Sequence, residues 1–425
     1  MKIKTRWSVW AAIAAASALG SLSTMAAPIK LLPPQQGIYQ GVFADIPEFP
    51  LRGQIESKTA RFEQLVGKNV AFSIVGNSWV NGIQFPLLEV TAVHAAGRVP
   101  VVHIKPWSEK IRGLGADRNY SFERILAGWF DQQLTNYAIA ARNFGRPIVI
   151  SFSPEANGNW YPWSGIFQGG RMTTGYGDPT RADGPERYRD TYRRLVNIFN
   201  RNGADNVTWI FHVNADNKPR EPWNNMAAYY PGDQYVDWLG VSVYSAQYPG
   251  DQWDDFTVSM DPAYRELTNL APAKPIAILE FGIIEDQFVA FRKADWISNA
   301  LSALRSNRYP KVKAVAYWHE SAWIRTGEND MRVNSSPSAL QAYQNEIADP
   351  VFVASARLSR PSIEGCLCGW VQNGSAGRTC AIWKPGDATV HEWHNFSECS
   401  LPVCQQLFTP DTVQNYCGGR ITLNP

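Results

Sequence analysis

Cysteine is missing from the first 365 residues of this 425-residue chain, and all six cysteines lie between Cys366 and Cys417. An even number of cysteines crowded into one short segment predicts a small module held together by three disulfides if the chain is exported. Their pairing stays open. Zinc is the alternative, because His391 and His394 lie among the cysteines. We favour disulfides, since no pair of Cys-x-x-Cys motifs is present.

The chain also has little charge. Charged residues make up 18% of it, below the roughly 25% usual in soluble domains. The formal net charge is +2, and it becomes −1 without the three basic residues of the first 27. A nearly neutral chain gives no electrostatic reason to expect a nucleic acid or an anionic membrane as a partner. Aromatic residues are plentiful instead, with 17 Trp and 17 Tyr.

After the N-terminus the sequence has no apolar run long enough to span a bilayer. Residues 1–27 have the pattern of a signal peptide, with the basic residues Lys2, Lys4 and Arg6 before an apolar stretch and small residues at the end. An uncleaved membrane anchor is the alternative, but the apolar stretch is short and Ser and Gly interrupt it. We therefore expect a secreted or periplasmic protein without a membrane span.

A Gly-x-Gly-x-x-Gly motif is absent after the first predicted strand, which argues against a nucleotide-binding open sheet. Eight short β-rich runs alternate with helical segments such as Glu186–Arg201 and Asp295–Ser306. The eight runs are Ile38–Ile46, Val70–Val75, Val99–Ile104, Pro147–Phe152, Val207–Val213, Val236–Tyr244, Pro275–Phe281 and Val312–Trp318. The pattern predicts an α/β fold, a (β/α)8 TIM barrel. A doubly wound open sheet is the structural alternative.

The predicted domains follow from this alternation. The barrel takes residues 28–348 and ends with a helix at Pro337–Ile347. Residues 349–362 are interpreted as a linker, and residues 363–425 as the Cys-rich C-terminal module.

Two glutamates follow predicted strands where a βα barrel carries its active site. Glu155 comes after strand four and Glu280 lies in strand seven, each behind apolar residues. An unpaired carboxylate is costly to bury, so each needs a reason to be there. Glycosidic bond cleavage requires two carboxyl groups beside the anomeric carbon. Structural ion pairs with barrel arginines are the alternative, which we consider less favoured for this pair.

The sequence from Glu155 to Trp163, Glu-Ala-Asn-Gly-Asn-Trp-Tyr-Pro-Trp, resembles the acid/base motif of glycoside hydrolase family 26. The sequence from Tyr229 to Gly240 resembles that family's run into strand six, and Leu279-Glu280-Phe281-Gly282 resembles its nucleophile strand. The family contains β-1,4-mannanases, β-1,3-xylanases and mixed-linkage β-glucanases. The resemblance implies a retaining mechanism with Glu155 as acid/base and Glu280 as nucleophile, whose carboxyls we expect about 5–5.5 Å apart.

Other strand-end residues are candidates for substrate binding. Tyr244 could hydrogen-bond Glu280, and Trp318 could form the floor under the cleaved sugar. Asn157 could orient Glu155. Further candidate sugar contacts are Trp160, Trp163, Trp107 and His103, for each of which a structural role is the alternative. We expect no metal, no cofactor, a polysaccharide partner and a monomer.

The chain departs from the resembling family at two positions. Pro154 stands where the family has a hydrogen-bonding His before the acid/base, and Ser242 stands where an acid is common. Proline has no donor, so we expect weak activity on plain β-1,4-mannan and better activity on a modified or mixed β-glycan. Proline should also bias Ser153 toward an extended backbone.

Two other functions stay open at this point. The first is an inactive barrel that binds glycans, although the presence of both glutamates speaks against it. The second is an adhesive cell-surface protein that works through its Cys-rich module.

Overall fold

The computed structural model describes residues 29–359, apart from residues 48–49, 110–112, 114 and 322–328, and the backbone of three strands further along the chain. The predicted signal peptide lies outside the described residues, and so do the cysteine side chains. Both predictions therefore stay predictions. Residues Pro28–Arg360 form one compact unit.

Eight parallel strands close into a barrel in the order of the chain. Closure comes from β8 pairing with β1 over five positions, from Tyr39 opposite Ala314 to Phe43 opposite Trp318. The predicted TIM barrel is confirmed, and the open doubly wound sheet is excluded. The strands are β1 (Ile38–Phe43), β2 (Phe72–Ser78), β3 (Val99–Lys105), β4 (Ile148–Phe152), β5 (Val207–Asn214), β6 (Trp238–Tyr244), β7 (Ile276–Gly282) and β8 (Val312–Trp318).

Helices surround the barrel within the described residues. They are α1 (Arg52–Val66), α2 (Leu87–Ala95), α3 (Phe122–Leu126), α4 (Asp131–Phe144), α5 (Asp183–Arg201), α6 (Met226–Tyr229), α7 (Phe256–Leu270), α8 (Arg292–Arg305) and α9 (Pro337–Ile347). Local signals set several of their ends. The Ser336 hydroxyl accepts the Ala339 N–H ahead of α9, whose first residue is Pro337. Gly67 ends α1 with a φ of 74°, a conformation that glycine adopts without strain.

The barrel has two apolar cores. The larger lies between the strands and the helices, and the smaller fills the barrel interior with side chains such as Tyr39, Ile74 and Val101. Gly41 on β1 makes room in the smaller core, because a Cβ there would lie 2.2 Å from the Phe72 ring. The interior is thus packed with apolar side chains at its base.

The predicted linker at residues 349–362 differs from the structure. Phe352–Val353 pairs in parallel with the start of β1, and Arg357–Leu358 pairs antiparallel with Leu31–Leu32. The chain as far as Leu358 is therefore part of the barrel unit, because its backbone groups find partners on strands that the sequence places 300 residues earlier.

The other described strands lie in the predicted Cys-rich module. Gly365–Gly369, Thr379–Trp383 and Glu392–Asn395 form a three-stranded antiparallel sheet. Among the described helices, none combines the length and apolar character needed to cross a bilayer.

We expect Gly41→Ala to destabilise the barrel by about 2 kcal/mol, because the added methyl group overpacks the interior against Phe72. Gly53→Ala is the matched control. A Cβ at Gly53 meets nothing within 4 Å, and alanine is the better helix former in α1. Urea unfolding should show a loss for the first variant and none for the second. Equal stabilities would contradict this account of the interior.

Candidate active site

Glu155 lies in the turn that follows β4, on a strained backbone. Its φ is 59° and that of Ser153 is 48°, a region that residues other than glycine rarely adopt. The Glu155 N–H donates to the His212 carbonyl of β5 at 2.9 Å, which ties the turn to the neighbouring strand. Strain of this kind collects at functional sites, where surrounding contacts hold it in place.

The Glu155 carboxylate is 4% exposed and accepts a hydrogen bond on each oxygen. The Trp160 indole N–H donates to Oε2 and the Asn214 amide donates to Oε1, both at 2.8 Å. Gly158 allows the first contact, because a Cβ there would lie about 2.5 Å from the Trp160 ring. The Gly-x-Trp part of the motif thus places a donor on the carboxylate. Trp160, predicted as a sugar platform, holds Glu155 in this structure.

Asn157 acts on Glu155 through Asn214. Its amide accepts the Asn214 N–H and donates to the Asn214 carbonyl, both at 2.8 Å, so it bonds to that backbone as a neighbouring strand would. The same amide donates to Asn217. Asn157 is fully buried, and it therefore orients Glu155 one step removed from the carboxylate.

Glu280 lies near the end of β7, where the strand pairing is irregular. Ile278 pairs with Val241 and Glu280 with Ser242, which leaves Leu279 as an extra residue. Such a bulge re-aims the side chains that follow it. The Glu280 carboxylate is 4% exposed and accepts the Tyr244 hydroxyl on Oε2 at 2.8 Å, the contact that the sequence analysis predicted.

Tyr244 donates to Glu280 and lies within electrostatic reach of Glu155. Burial, then the charges of Glu280 and Glu155, raise the pKa of Tyr244 well above its ordinary value of 10.0. The phenol therefore stays protonated and able to donate. Both carboxylates act on this one hydroxyl, so the ends of β4 and β7 converge on the same space.

Two further predicted residues, Trp318 and His103, lie side by side, and His103 faces Glu280. The Trp318 indole stacks on Phe43 with ring centroids 4.0 Å apart, and its N–H donates to Glu320 at 2.8 Å. The His103 ring lies nearly parallel to Trp318, and its Nδ1 is 3.5 Å from Glu280 Oε1. Within the part of the chain that the structure describes, neither ring nitrogen of buried His103 makes a hydrogen bond, although Nδ1 faces Glu280. This side chain can accept from or donate to a bound molecule.

Trp107 and Trp163, which were predicted as sugar contacts, are buried in this structure. They are 3% and 1% exposed, and their rings pack on each other with centroids 5.2 Å apart. The Trp107 N–H donates to Ser78, and the Trp163 N–H donates to the Pro154 carbonyl. Trp163 thus supports the β4 turn through Pro154, and Trp107 packs against Trp163.

The expectation that Pro154 keeps Ser153 extended is wrong, since Ser153 has a positive φ. The turn needs this conformation to bring Glu155 back over β5, and the contact of Trp163 with Pro154 helps to hold it. Tertiary contacts outweigh the local bias that the proline imposes.

His212 is the main residue that the sequence analysis missed, together with Asn214. Its Nδ1 lies 3.1 Å from the Ser151 hydroxyl and its Nε2 lies 2.8 Å from that of Ser242. Burial lowers its pKa to about 3, so the ring is neutral. The signal was present in β5, where polar residues alternate with apolar ones near the strand end. Ser242, which departs from the family pattern, is the partner of this ring.

His103, His212 and Glu280 have ligand atoms within 4.8 Å of one another, close enough for a metal ion. A metal would have to displace a serine from His212, because both of its ring nitrogens are already hydrogen-bonded. We therefore assign no metal to this group.

Stability should depend on pH through His212. Its folded-state pKa of about 3 lies below the ordinary 6.5, so the unfolded chain binds more protons in between, and stability falls as the pH drops below 6.5. One such group contributes a slope of up to about 1.4 kcal/mol per pH unit. His212→Gln should flatten the profile between pH 6 and pH 4 in urea unfolding. Near pH 8 and above, where His212 is neutral in the folded and the unfolded chain, the difference in unfolding free energy between the two proteins should stay constant. Parallel profiles throughout would contradict a neutral His212.

Comparison with known proteins identifies the family of this site. The sequence profile of Glycosyl hydrolase family 26 matches residues 123–313, which include both glutamates. Endoglucanase H of Acetivibrio thermocellus is 32% identical over 295 residues, covering 69% of this chain and 29% of its own length. A β-1,3-xylanase of a Vibrio species is 23% identical over 302 residues, covering 65% of this chain and 60% of its own length.

This chain thus spans less than two thirds of the length of these two relatives. Among solved structures, a family-26 β-mannanase from Bacteroides ovatus superposes with a TM-score of 0.53 at 15% identity, over 75% of this chain and 90% of its own. That likeness supports the fold. The profile match and the 32% identical relative also identify the family, and this chain belongs to glycoside hydrolase family 26.

Proposed function

We propose that this protein is a retaining endo-β-glycanase that uses Glu155 as acid/base and Glu280 as nucleophile. One observation carries the proposal. Glu280, at the end of β7, accepts the Tyr244 hydroxyl, Glu155, after β4, accepts Trp160 and Asn214, and the charges of both buried carboxylates act on Tyr244. A pair of carboxyl groups flanking one space is the arrangement that glycosidic cleavage needs.

In the first step Glu280 attacks the anomeric carbon and forms a glycosyl ester. Glu155 gives its proton to the glycosidic oxygen as that bond breaks, and the leaving sugar departs as an alcohol. In the second step Glu155, now ionised, takes a proton from water while the water oxygen attacks the same carbon. The ester bond to Glu280 breaks, and both carboxyl groups return to their starting states. The product keeps the β configuration.

The neighbours of the two carboxylates suit these roles. The Tyr244 hydroxyl orients Glu280 and stabilises its ionised form. Trp160 and Asn214 fix the direction of the Glu155 carboxyl, which has to reach the glycosidic oxygen from one side. A separation of about 5–5.5 Å between the two carboxyls stays a prediction of the retaining mechanism.

Trp318 and His103 serve the sugar that is being cleaved. With one face of the Trp318 indole covered by Phe43, we assign the other to the floor of this subsite. We assign the unpartnered nitrogens of His103 to a sugar hydroxyl, because a buried imidazole gains most from a ligand that satisfies it.

A β-glucan is the proposed substrate, in preference to β-1,4-mannan. Endoglucanase H is 32% identical to this chain, whereas a mannan endo-1,4-β-mannosidase of Bacillus subtilis is 24% identical. Mannose differs from glucose in the direction of its 2-hydroxyl. At the position before the acid/base, Pro154 offers no donor, so a donor that the resembling family places there is missing from this chain.

The two carboxylates are tested by parallel alanine variants on a β-glucan and on an aryl β-glucoside whose leaving group needs no proton. Glu155→Ala should lower the rate of polysaccharide hydrolysis by a factor of about 100 or more, and it should leave the glycosylation step on the aryl substrate unchanged. Glu280→Ala should lose both. Glu123→Ala, at an exposed position of α3, is the control and should match the unaltered protein. Identical behaviour of the first two variants on both substrates would contradict the roles.

The substrate preference is tested by initial rates on mixed-linkage β-glucan, β-1,4-glucan, β-1,3-xylan and β-1,4-mannan at matched concentrations. We expect kcat/KM on the best β-glucan to exceed that on mannan by about ten-fold or more, the range that one correctly paired hydroxyl can supply. Mannan turnover equal to that of the best glucan would show that Pro154 does not determine the substrate preference.

A further inference from the structure

A cavity of about 300 Å³ opens at the carboxyl end of the barrel, between the loops that follow β5 and β6. Its inner end is formed by Trp160, Asn214 and Tyr244. The first two are the donors to the Glu155 carboxylate, so the cavity begins directly beside this group. Its outer part is lined by side chains that have no part in the mechanism above.

One wall of this cavity is an ion-paired cluster from the β5 loop, made of Asp216, Lys218 and Arg220. Arg220 forms a bidentate hydrogen-bonded ion pair with Asp216. Its Nε donates to Oδ1 at 2.8 Å and an Nη donates to Oδ2 at 2.9 Å. Lys218 Nζ lies 2.7 Å from the same carboxylate. Burial raises the pKa of Asp216, but the bonds from Arg220 and Lys218 outweigh it and keep the pKa below its ordinary value.

The cluster is connected to the Glu155 turn by hydrogen bonds. The Asp216 N–H donates to the Asn214 side-chain oxygen at 2.9 Å, and the Lys218 N–H donates to the Asn157 carbonyl at 2.9 Å. Asn214 in turn holds Glu155. The loop backbone that carries the two cations is therefore anchored to the Glu155 turn, as recognition of one sugar unit beside that group requires.

The facing wall is polar as well. It includes Gln247, Gln252 and Asp254, with the Gln252 amide donating to Asp254 at 2.8 Å. Two basic and two acidic side chains line the cavity, so their charges cancel. Such a lining favours a neutral ligand rich in hydroxyl groups over an anion, because each charged group can hydrogen-bond a hydroxyl while keeping its counter-ion.

The side of the active site on which the cavity lies identifies its occupant. An acid that protonates the glycosidic oxygen stands beside the sugar that leaves, and the cavity is built on the donors to Glu155. We propose that this cavity is the subsite for the leaving-group sugar, and that Lys218 and Arg220, held by Asp216, bind the hydroxyls of a neutral hexose there. The proposal rests on the proposed function and assigns specificity-determining residues to it.

The test compares two substrates with the same glycone. One is a β-gluco-oligosaccharide whose leaving group is a sugar, and the other is the aryl glycoside of that glycone. Lys218→Met and Arg220→Met should each lower kcat/KM on the oligosaccharide by about ten-fold, the usual effect of losing one hydrogen bond from a charged group. Their kcat/KM on the aryl glycoside should stay unchanged.

Arg181→Met is the matched control. Arg181 pairs with Asp178 and is 57% exposed. Its substitution removes a comparable ion pair that does not line the cavity. Its two rates should equal those of the unaltered protein. Thermal melting should show all three variants folded, since the side chains of Lys218 and Arg220 are 41% and 74% exposed and lie on a loop.

Each other outcome counts against the proposal in a distinct way. Unchanged kcat/KM values on both substrates, in both variants, would overturn the role of the cations. An equal fall on both substrates would overturn the placement on the leaving-group side. If the unaltered protein cleaves neither substrate nor any β-glycan, the proposed function fails first, and the subsite fails with it.

Discussion

A buried carboxylate must be met by hydrogen-bond donors, and at Glu155 this requirement shapes the whole turn after β4. The donors come from Trp160, five residues later, and from Asn214 on the next strand. To bring the carboxylate between them, the backbone takes left-handed values at Ser153 and Glu155. The Asn157 amide then bonds to the Asn214 backbone, so the strain at the turn is supported by a buried contact.

The same requirement explains the polar layer under the site. His212 is buried among apolar strands, and it stays neutral there because burial disfavours its charged form. The hydroxyls of Ser151 and Ser242 form hydrogen bonds with both of its ring nitrogens and add no charge. An acid in place of Ser242 would favour a charged imidazole close to Glu280. With serine at this position the ring stays neutral and adds no positive charge near Glu280.

The hydrogen bonds around Glu155 continue into the loops at the mouth of the barrel. The β5 loop is anchored to the Glu155 turn through Asn214 and Asn157, and it carries the Asp216 cluster. A bound leaving sugar in the proposed subsite would therefore be positioned by the same residues that aim the acid. Substrate choice and catalysis then depend on one connected set of hydrogen bonds, which is why changes on this loop should be visible in the rates.

The sequence by itself determined the eight strands, the barrel, and the two glutamates at the ends of strands four and seven. These follow from local pattern, since parallel strands buried on both faces read as apolar runs and an active-site acid stands out at the end of such a run. The contact of Tyr244 with Glu280 could be predicted for the same reason, because strands six and seven are neighbours in any such barrel.

Only the tertiary structure decided which side of each aromatic ring is free. Trp107 and Trp163 looked like sugar platforms, but they pack against each other, whereas Trp160 turns toward Glu155. The bulge before Glu280 and the pairing of Arg357–Leu358 with the start of the barrel are equally invisible in the pattern. The physical reason is shared: exposure and register depend on contacts between residues far apart in the chain, whereas strand identity depends on near neighbours.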